Sequence, residues 1–166
     1  EEEIQSLIDR IVSRGGMFKN LHGQKNLYYQ VNATYYSALG ESDEKMLLAR
    51  AIQMFMPGKP QVWYLDLFAG KNDHEAVRRA GESGHKEINR TNLSTDQIAE
   101  DLKKDVVQKQ LALIRMRNTH KAFSEGAEVA VSGGESSLQI RWEYNSAFAT
   151  LNVNFESGTY TIVESR

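Results

Sequence analysis

The sequence contains no cysteine, only two prolines, and no excess of charge of one sign. Without cysteine, disulfide bonds and thiolate metal sites are excluded, which fits a reducing compartment such as the cytoplasm. No apolar run approaches the ~20 residues of a membrane-spanning helix, so no membrane partner is expected. The formal net charge of -2 argues against a nucleic-acid partner, because affinity for phosphate backbones rests on accumulated lysine and arginine.

What the 166 residues do contain is the composition of a globular protein, with 40% hydrophobic and 25% charged residues. These fractions allow a buried core under a solvated surface. Residue 1 is Glu rather than Met, and no signal-like segment follows it. We therefore expect the chain to be part of something longer.

The segment Pro57–Asp73 is the most informative stretch. Pro57 lacks the N–H group that would continue the preceding helix. Gln61–Phe68 is a nearly continuous apolar run, which predicts a strand of a parallel sheet with both faces buried. Chemistry in parallel α/β folds lies on the loops that leave the carboxyl ends of the strands. A loop of roughly two dozen residues that starts at Ala69 is therefore expected to be functional.

Helical periodicity surrounds this segment. Glu1–Arg14 predicts an amphipathic helix, and Met46–Met56 is apolar nearly all round, which predicts a buried helix. Ser94 and Gln97 match a capping box that opens another helical region, and this region continues over Val106–His120.

The pattern changes beyond Gly126. Apolar and polar residues alternate, with Gly, Ser and Asn between the alternating runs, as is typical of antiparallel strands with one solvated face. The predicted strands are Ala127–Val131, Leu138–Tyr144, Ala147–Asn154 and Thr159–Glu164. The sequence thus predicts an α/β part over residues 1–124 and a small antiparallel β domain over residues 125–166.

Several strings occur together in a specific order and spacing. They are Tyr29–Gly40 (YQVNATYYSALG), Ala49–Gln53, Pro57–Tyr64, Ala69–Asp73 (AGKND), Ile88–Arg90, Val106–Lys109 and Arg115–His120. Together they resemble the sucrose phosphorylase branch of the α-amylase clan of glycoside hydrolases, from about Glu1 to Phe123. His85-Lys86 stands where that branch carries an Arg, and Thr91–Leu93 replaces its usual aromatic residues. Both departures resemble the glucosylglycerate phosphorylase members, and extra basic groups would suit a charged acceptor such as glycerate.

The resemblance implies a (β/α)8 barrel with an antiparallel β domain at its C-terminus. Met46–Met56 would be the seventh barrel helix, Gln61–Phe68 the eighth strand, and Val106–His120 the last helix. The implied activity is a retaining double displacement in which phosphate accepts the glucosyl group. Such chemistry needs two carboxyls about 5 Å apart. The family's catalytic carboxylates precede the region that Glu1 opens, so we expect no catalytic residue, no cofactor and no activity in this chain alone.

The resemblance also implies residues that line the site in the intact parent, where a saccharide and inorganic phosphate would bind. They are Tyr28, Tyr29 and Gln30 at the acceptor subsite, and His85, Lys86, Glu87 and Arg90 in the loop after the eighth strand. The residues themselves leave other interpretations open. The tyrosines could be packing aromatics, and the loop around His85 could be solvated rather than a metal site. Asp66 is expected to be a hydrogen-bonding residue.

Two alternatives to a phosphorylase remain. The parent could be a hydrolase of the same clan that releases glucose to water, or the chain could be a non-catalytic module that binds sugar or another protein. A lone barrel strand would expose edges and apolar surface. We therefore expect the chain to pair with a missing N-terminal barrel half, to self-associate or to rearrange.

Overall fold

The computed structural model describes residues 2–20 and 28–165, without the side chains of residues 20, 28, 29, 82 and 83. In chain order the elements are α1 (Glu2–Ser13), β1 (Met17–Asn20), β2 (Tyr28–Asn32), α2 (Tyr35–Ala38), α3 (Asp43–Phe55), α4 (Tyr64–Leu67), α5 (His74–Ala80), a first 3-10 helix (Gly81–Asn89), α6 (Thr95–Asp101), α7 (Asp105–Thr119), a second 3-10 helix (Lys121–Phe123), β3 (Glu128–Gly134), β4 (Ser137–Tyr144), β5 (Ala147–Asn154) and β6 (Thr159–Glu164).

The chain divides into two compact units. The first unit combines Glu1–Ser42 with Trp63–Lys104, and the second combines Asp43–Val62 with Asp105–Arg166. Compactness therefore groups α3 and α7 with the antiparallel sheet. The sequence predicts that a barrel part ends at residue 124 and that a β domain begins at residue 125. This division refers to the domains of a whole protein, and it stays a prediction. No helix in the described ranges is both long and apolar enough to cross a membrane.

The first unit opens with the predicted amphipathic helix. α1 ends at a glycine pair, where Gly15 has φ +82° and donates from its N–H to the carbonyl of Val12. Ile8 is buried, whereas Ile4 and Leu7 are 62% and 59% exposed. The apolar stripe of α1 is thus only partly covered within the chain. β1 and β2 follow as an antiparallel pair in which Lys19 lies opposite Gln30.

The prediction that Gln61–Phe68 forms a strand is wrong. Trp63 is extended (φ -69°, ψ 137°), but Tyr64–Leu67 is a one-turn helix, α4. A strand needs neighbours to accept and donate its backbone hydrogen bonds, and the sheets of the described residues are both antiparallel and do not include this segment. The backbone groups bond locally instead, from Leu67 N–H to Trp63 O at 3.0 Å and from Gly70 N–H to Leu65 O at 2.8 Å.

The prediction of a long loop after Phe68 is also wrong, because most of this segment is helical. Asp73 caps α5 by accepting from the N–H of Ala76 at 2.8 Å. The 3-10 helix Gly81–Asn89 follows it directly and runs for nine residues. Runs of 3-10 helix longer than about four residues are uncommon because their hydrogen-bond geometry is poor, and they often occur where a chain has a functional role.

The second unit confirms the predicted helices and all four predicted strands. β3, β4, β5 and β6 form an antiparallel meander in that order, with each strand joined to its neighbour in sequence. Its core combines one face of this sheet with α3 and α7, and includes Ala51, Met54, Phe55, Leu113, Ala122, Ile140, Trp142, Ala149, Leu151 and Val153. The overall class, helices followed by a small antiparallel β unit, is as the sequence predicts.

Candidate functional site

The chain that follows β2 is held in place by side chains distant in sequence. The backbone N–H of Thr34 donates to Asn72 Oδ1 at 2.7 Å, and the N–H of Tyr35 donates to Asp66 Oδ1 at 2.7 Å. Asn89 Nδ2 donates to the carbonyl of Ala33 at 3.2 Å. Three consecutive residues are therefore fixed by side chains from α4, the loop after it and the first 3-10 helix. This arrangement sets the position of β2, which carries Tyr28–Gln30.

The same segment begins α2, and its cap is part of the same network. Thr34 is fully buried, and its Oγ1 accepts from the N–H of Ser37 at 3.1 Å, which caps the helix. Ser37 Oγ in turn accepts from the N–H of Asn72 at 3.0 Å. Since Asn72 accepts from Thr34 and donates to Ser37, it bonds to both ends of this turn. The prediction that Asp66 is a hydrogen-bonding residue is confirmed by its bond to Tyr35.

Two neighbouring aromatic residues hold the far end of the first 3-10 helix. Trp63 Nε1 donates to the carbonyl of Asn89 at 2.9 Å, and the hydroxyl of Tyr64 donates to the carbonyl of Thr91 at 2.8 Å. The two rings lie 4.9 Å apart between centroids. The start of α4 is thus joined to the segment that carries His85, Lys86, Glu87 and Arg90.

Asp73 connects α5 to the same segment. Its Oδ2 accepts from the hydroxyl of Thr91 at 3.0 Å, and its N–H donates to the carbonyl of Ile88 at 2.8 Å. The hydrogen bond from the Ala76 N–H is the main cause that lowers the pKa of Asp73 below its ordinary value of 3.8, against the opposing effect of burial. Asp73 is therefore an ionised structural anchor rather than a proton donor.

An open cavity of about 470 Å³ lies beside this anchor. Its lining is Asp73, Ala76, Arg79, Ala80, Glu87, Arg90, Thr91 and Asn92. Of the predicted site residues it contains Glu87 and Arg90, whose charged atoms approach to 3.8 Å. The pair is about half exposed, so it contributes little to stability and is free to exchange partners for a ligand.

His85 lies in the first 3-10 helix, and this helix contacts β2, the strand that carries Gln30. Burial lowers the pKa of His85 below its ordinary 6.5, and the charges of Lys19, Lys86 and Arg90 lower it further. His85 is therefore neutral at pH 7. Among the described residues, His85 Nε2 and Gln30 Oε1 are both buried without a hydrogen-bond partner. Because Lys19 is opposite Gln30 and acts on His85, these groups share one region.

The remaining predicted residues are placed only in part. The backbones of Tyr28 and Tyr29 lie in β2, but their side chains are outside the described part of the chain. Lys86 lies in the first 3-10 helix beside His85. Asn72, Asn89 and Trp63 stood in the quoted strings without a role. Their signal is a polar or donor side chain within each string, but sequence alone does not say which backbone group such a side chain reaches.

Known proteins share both the sequence pattern and the fold of this chain. The chain is 52% identical over 162 residues to a sucrose 6(F)-phosphate phosphorylase of Ilumatobacter coccineus, covering 96% of this chain and 31% of the relative. The crystal structure of sucrose 6F-phosphate phosphorylase from Thermoanaerobacter thermosaccharolyticum superposes with a TM-score of 0.92 at 36% identity. This match covers 99% of this chain and 33% of that one. The chain corresponds to the C-terminal part of a sucrose phosphorylase-like protein. No protein-family model matches it.

The chain spans about a third of the length of the relatives that it matches. A glucosylglycerate phosphorylase of Escherichia coli is also similar, at 27% identity over 138 residues, covering 74% of this chain and 24% of the relative. It is a more distant match than the sucrose 6(F)-phosphate phosphorylase. The comparisons therefore support the phosphorylase branch and do not favour its glucosylglycerate-active members.

Proposed function

We propose that this chain supplies the acceptor and phosphate side of the active site in a retaining glucosyl-transferring phosphorylase. The intact protein would convert a glucoside and inorganic phosphate into glucose 1-phosphate and a free acceptor. The catalytic carboxylates would come from the part of the protein that precedes these residues. The chain alone would not turn over substrate.

The observation that carries the proposal is the fixation of the chain directly after Tyr28–Gln30. Asp66, Asn72 and Asn89 hold three consecutive backbone groups at 2.7 to 3.2 Å. Enzymes gain rate by holding binding groups in a set geometry before the substrate arrives, because little ordering is then required during reaction.

Electrostatics support an anionic substrate group at the same place. Lys19, Lys86 and Arg90 act together on His85, so positive potential accumulates where β2 meets the first 3-10 helix. An incoming phosphate would interact favourably with these cations, and Gln30 would offer an amide for hydroxyl recognition. Arg90 would have to break its ion pair with Glu87. This break costs little free energy, because the charged atoms are 3.8 Å apart and both side chains are partly exposed.

The names of the relatives suggest which glucosyl donors to consider, because these names refer to glucosides of different acceptors. Candidates are sucrose 6F-phosphate, sucrose, glucosylglycerol and glucosylglycerate. The 52% identity favours sucrose 6F-phosphate as the first to test. The cation cluster around His85 suits either of the anionic acceptors, fructose 6-phosphate or glycerate.

The test uses the full-length protein that contains this chain. Each candidate donor is incubated with and without inorganic phosphate, and glucose 1-phosphate and glucose are measured separately. Phosphate-dependent glucose 1-phosphate is the expected product. Glucose at the same rate in both conditions would identify a hydrolase instead. No turnover of any donor, together with heat on titrating a saccharide into the chain alone, would identify a binding module.

Variants assign the site within that assay. Gln30→Leu and Arg90→Ala are expected to raise the KM for acceptor or phosphate about tenfold, which corresponds to one lost hydrogen bond to a charged or polar substrate group. Arg78→Ala is the matched control, because Arg78 is exposed and pairs with Glu75 of the same helix. Equal effects of all three variants would argue against the assigned residues.

The partner of α1 belongs to the same proposal. Ile4 and Leu7 are exposed on one stripe of the helix, and exposed apolar stripes mark interaction surfaces. In the intact protein this stripe packs against the missing barrel half, in a cytoplasmic enzyme. The isolated chain is therefore expected to self-associate in sedimentation, and Ile4→Lys with Leu7→Glu is expected to reduce association. A monodisperse monomer without these substitutions would contradict the assignment.

A further inference from the structure

The second unit contains a separate pocket of about 350 Å³. It is lined by residues from α3, α7, the turn between β5 and β6 and the start of β6: Glu44, Leu47, Lys109, Ser157, Gly158, Thr159 and Tyr160. This volume falls within the ~300–1,000 Å³ that is usual for ligand pockets. None of these residues has a role in the site described above.

The β5–β6 turn gives the pocket a rigid polar edge. Gly158 has φ +67°, a conformation that L side chains rarely adopt, which lets the turn close tightly. The N–H of Ser157 donates to Asn154 Oδ1 at 2.9 Å, and the hydroxyls of Ser157 and Thr159 are 2.7 Å apart. Two hydroxyls, each able to donate and to accept, are thus presented side by side.

The opposite side of the pocket is apolar. Leu47 is 8% exposed, and Tyr160 is partly buried on β6. Burial raises the pKa of Tyr160, so its hydroxyl stays protonated throughout the neutral range. The ring offers a flat apolar surface and its hydroxyl offers a polar tip, which is the combination that makes tyrosine common at binding sites.

The charged side chains at the pocket indicate which class of ligand it would bind. Lys109 is paired to Asp105 at 2.6 Å, and this bond and the nearby Asp43 both raise the pKa of Lys109. The lining contains one cation, Lys109, and one carboxylate, Glu44. Because Asp105 already pairs with Lys109, a phosphate or other anion would gain little here. A neutral ligand rich in hydroxyl groups would instead donate hydrogen bonds to a carboxylate, which are stronger than bonds between neutral groups.

We propose that this pocket is a non-catalytic binding site for a neutral saccharide, with Glu44 accepting sugar hydroxyls and Tyr160 contacting an apolar face of the sugar ring. Ser157 and Thr159 add hydroxyl contacts at the rim. The proposal concerns only the second unit, so it does not depend on the activity of the whole protein.

The test is an NMR titration of the ¹⁵N-labelled chain, carrying Ile4→Lys and Leu7→Glu to reduce its self-association, with maltose, sucrose and glucose in turn, and with inorganic phosphate as an anionic comparison. At least one sugar is expected to shift the backbone amides of Gly158 and Tyr160 with saturation, whereas phosphate is expected to leave both unchanged. Glu44→Gln and Tyr160→Ala are each expected to weaken Kd about tenfold, the loss of one strong contact. Tyr160→Phe keeps the ring and is expected to leave Kd nearly unchanged, and Glu44→Gln remains the test if the alanine variant does not fold.

Two controls locate the effect. Glu143→Gln removes a carboxylate of the same sheet that is paired with Arg141, and it is expected to leave the shifts unchanged. Arg90→Ala tests whether sugar bound at the first unit causes them, and it is also expected to have no effect. The proposal is overturned if no sugar shifts Gly158 and Tyr160, if phosphate shifts them more than sugar does, or if Glu44→Gln and a folded Tyr160→Ala both leave Kd unchanged.

Discussion

Asn72 and Thr34 are joined by a hydrogen bond of 2.7 Å from the backbone N–H of Thr34 to the side-chain oxygen of Asn72, across 38 residues of sequence. Thr34 is completely buried. The bond therefore satisfies a donor that water cannot reach. It also ties the loop after α4 to the end of β2, where the acceptor-side residues are proposed to lie.

Asn72→Ala is expected to destabilise the chain by about 1–3 kcal/mol, because the buried N–H of Thr34 loses its acceptor. Urea denaturation measures this change in the free energy of unfolding. Lys71→Ala is the control, since its ion pair with Glu41 is exposed and should contribute less than about 1 kcal/mol. Equal losses from both substitutions would count against a specific role for Asn72.

His85 is expected to titrate below its ordinary pKa of 6.5, because burial and three nearby cations disfavour its charged form. The folded state then takes up a proton less readily than the unfolded state. Stability is therefore fully present above pH 6.5 and falls as the pH drops below that value. His85→Gln should remove this part of the pH dependence, measured by urea denaturation from pH 7.5 to 5.

The same histidine reports on the proposed phosphate site. In the full-length protein, inorganic phosphate is expected to raise the pKa of His85, because a nearby anion favours the protonated ring. An NMR titration of the ring with and without phosphate measures the change. An unchanged value at a phosphate concentration that supports turnover would place the phosphate elsewhere.

Asp73→Ala is expected to cost about 1 kcal/mol of stability by removing the cap of α5, whereas Asp73→Ser keeps a capping oxygen and should cost less. Since the pKa of Asp73 is lowered in the folded state, its contribution is present above its ordinary pKa of 3.8 and is lost as the pH falls through the lower folded value. The difference in the free energy of unfolding between Asp73→Ser and the unmodified chain should therefore be smaller at pH 3 than at pH 7.

Arg50 and Gln110 form a buried pair in the second unit. Arg50 Nε donates to Gln110 Oε1 at 2.9 Å, and the two residues are 1% and 0% exposed. Gln110→Leu is expected to cost about 3 kcal/mol, because it removes an acceptor from a buried charge. Arg50→Met combined with Gln110→Leu should cost less than the sum of the single changes. Additive losses in urea denaturation would show that the two residues do not act as a pair.

The sequence alone was sufficient for elements whose bonding partners lie nearby in the chain. Ser94 caps α6 by accepting from Gln97 N–H, as the capping box predicts. The strands of the second unit each pair with the next one along the chain. Alternating polarity therefore specified the extent of β4, β5 and β6 to within one residue, whereas β3 runs three residues beyond the predicted Val131. The quoted strings were also sufficient to indicate the phosphorylase branch.

The segment Gln61–Phe68 shows where local pattern is insufficient. Its apolar residues favour a strand, but a strand is stable only if a neighbouring strand takes up its backbone groups. Within the described chain no such neighbour adjoins it, and local hydrogen bonds produce α4 instead. Composition gives no information on whether that neighbour is present.

The sequence by itself determined the periodic helices, the antiparallel meander and the phosphorylase resemblance, because each depends on residues close together or on short exact strings. Only the tertiary structure decided that Asp66, Asn72 and Asn89 meet at residues 33–35, across 31 to 56 residues of sequence. The physical reason is that a side-chain amide can satisfy any unpaired backbone N–H or carbonyl, and a carboxylate any unpaired N–H. Which group it bonds is settled by the packing that brings the two together.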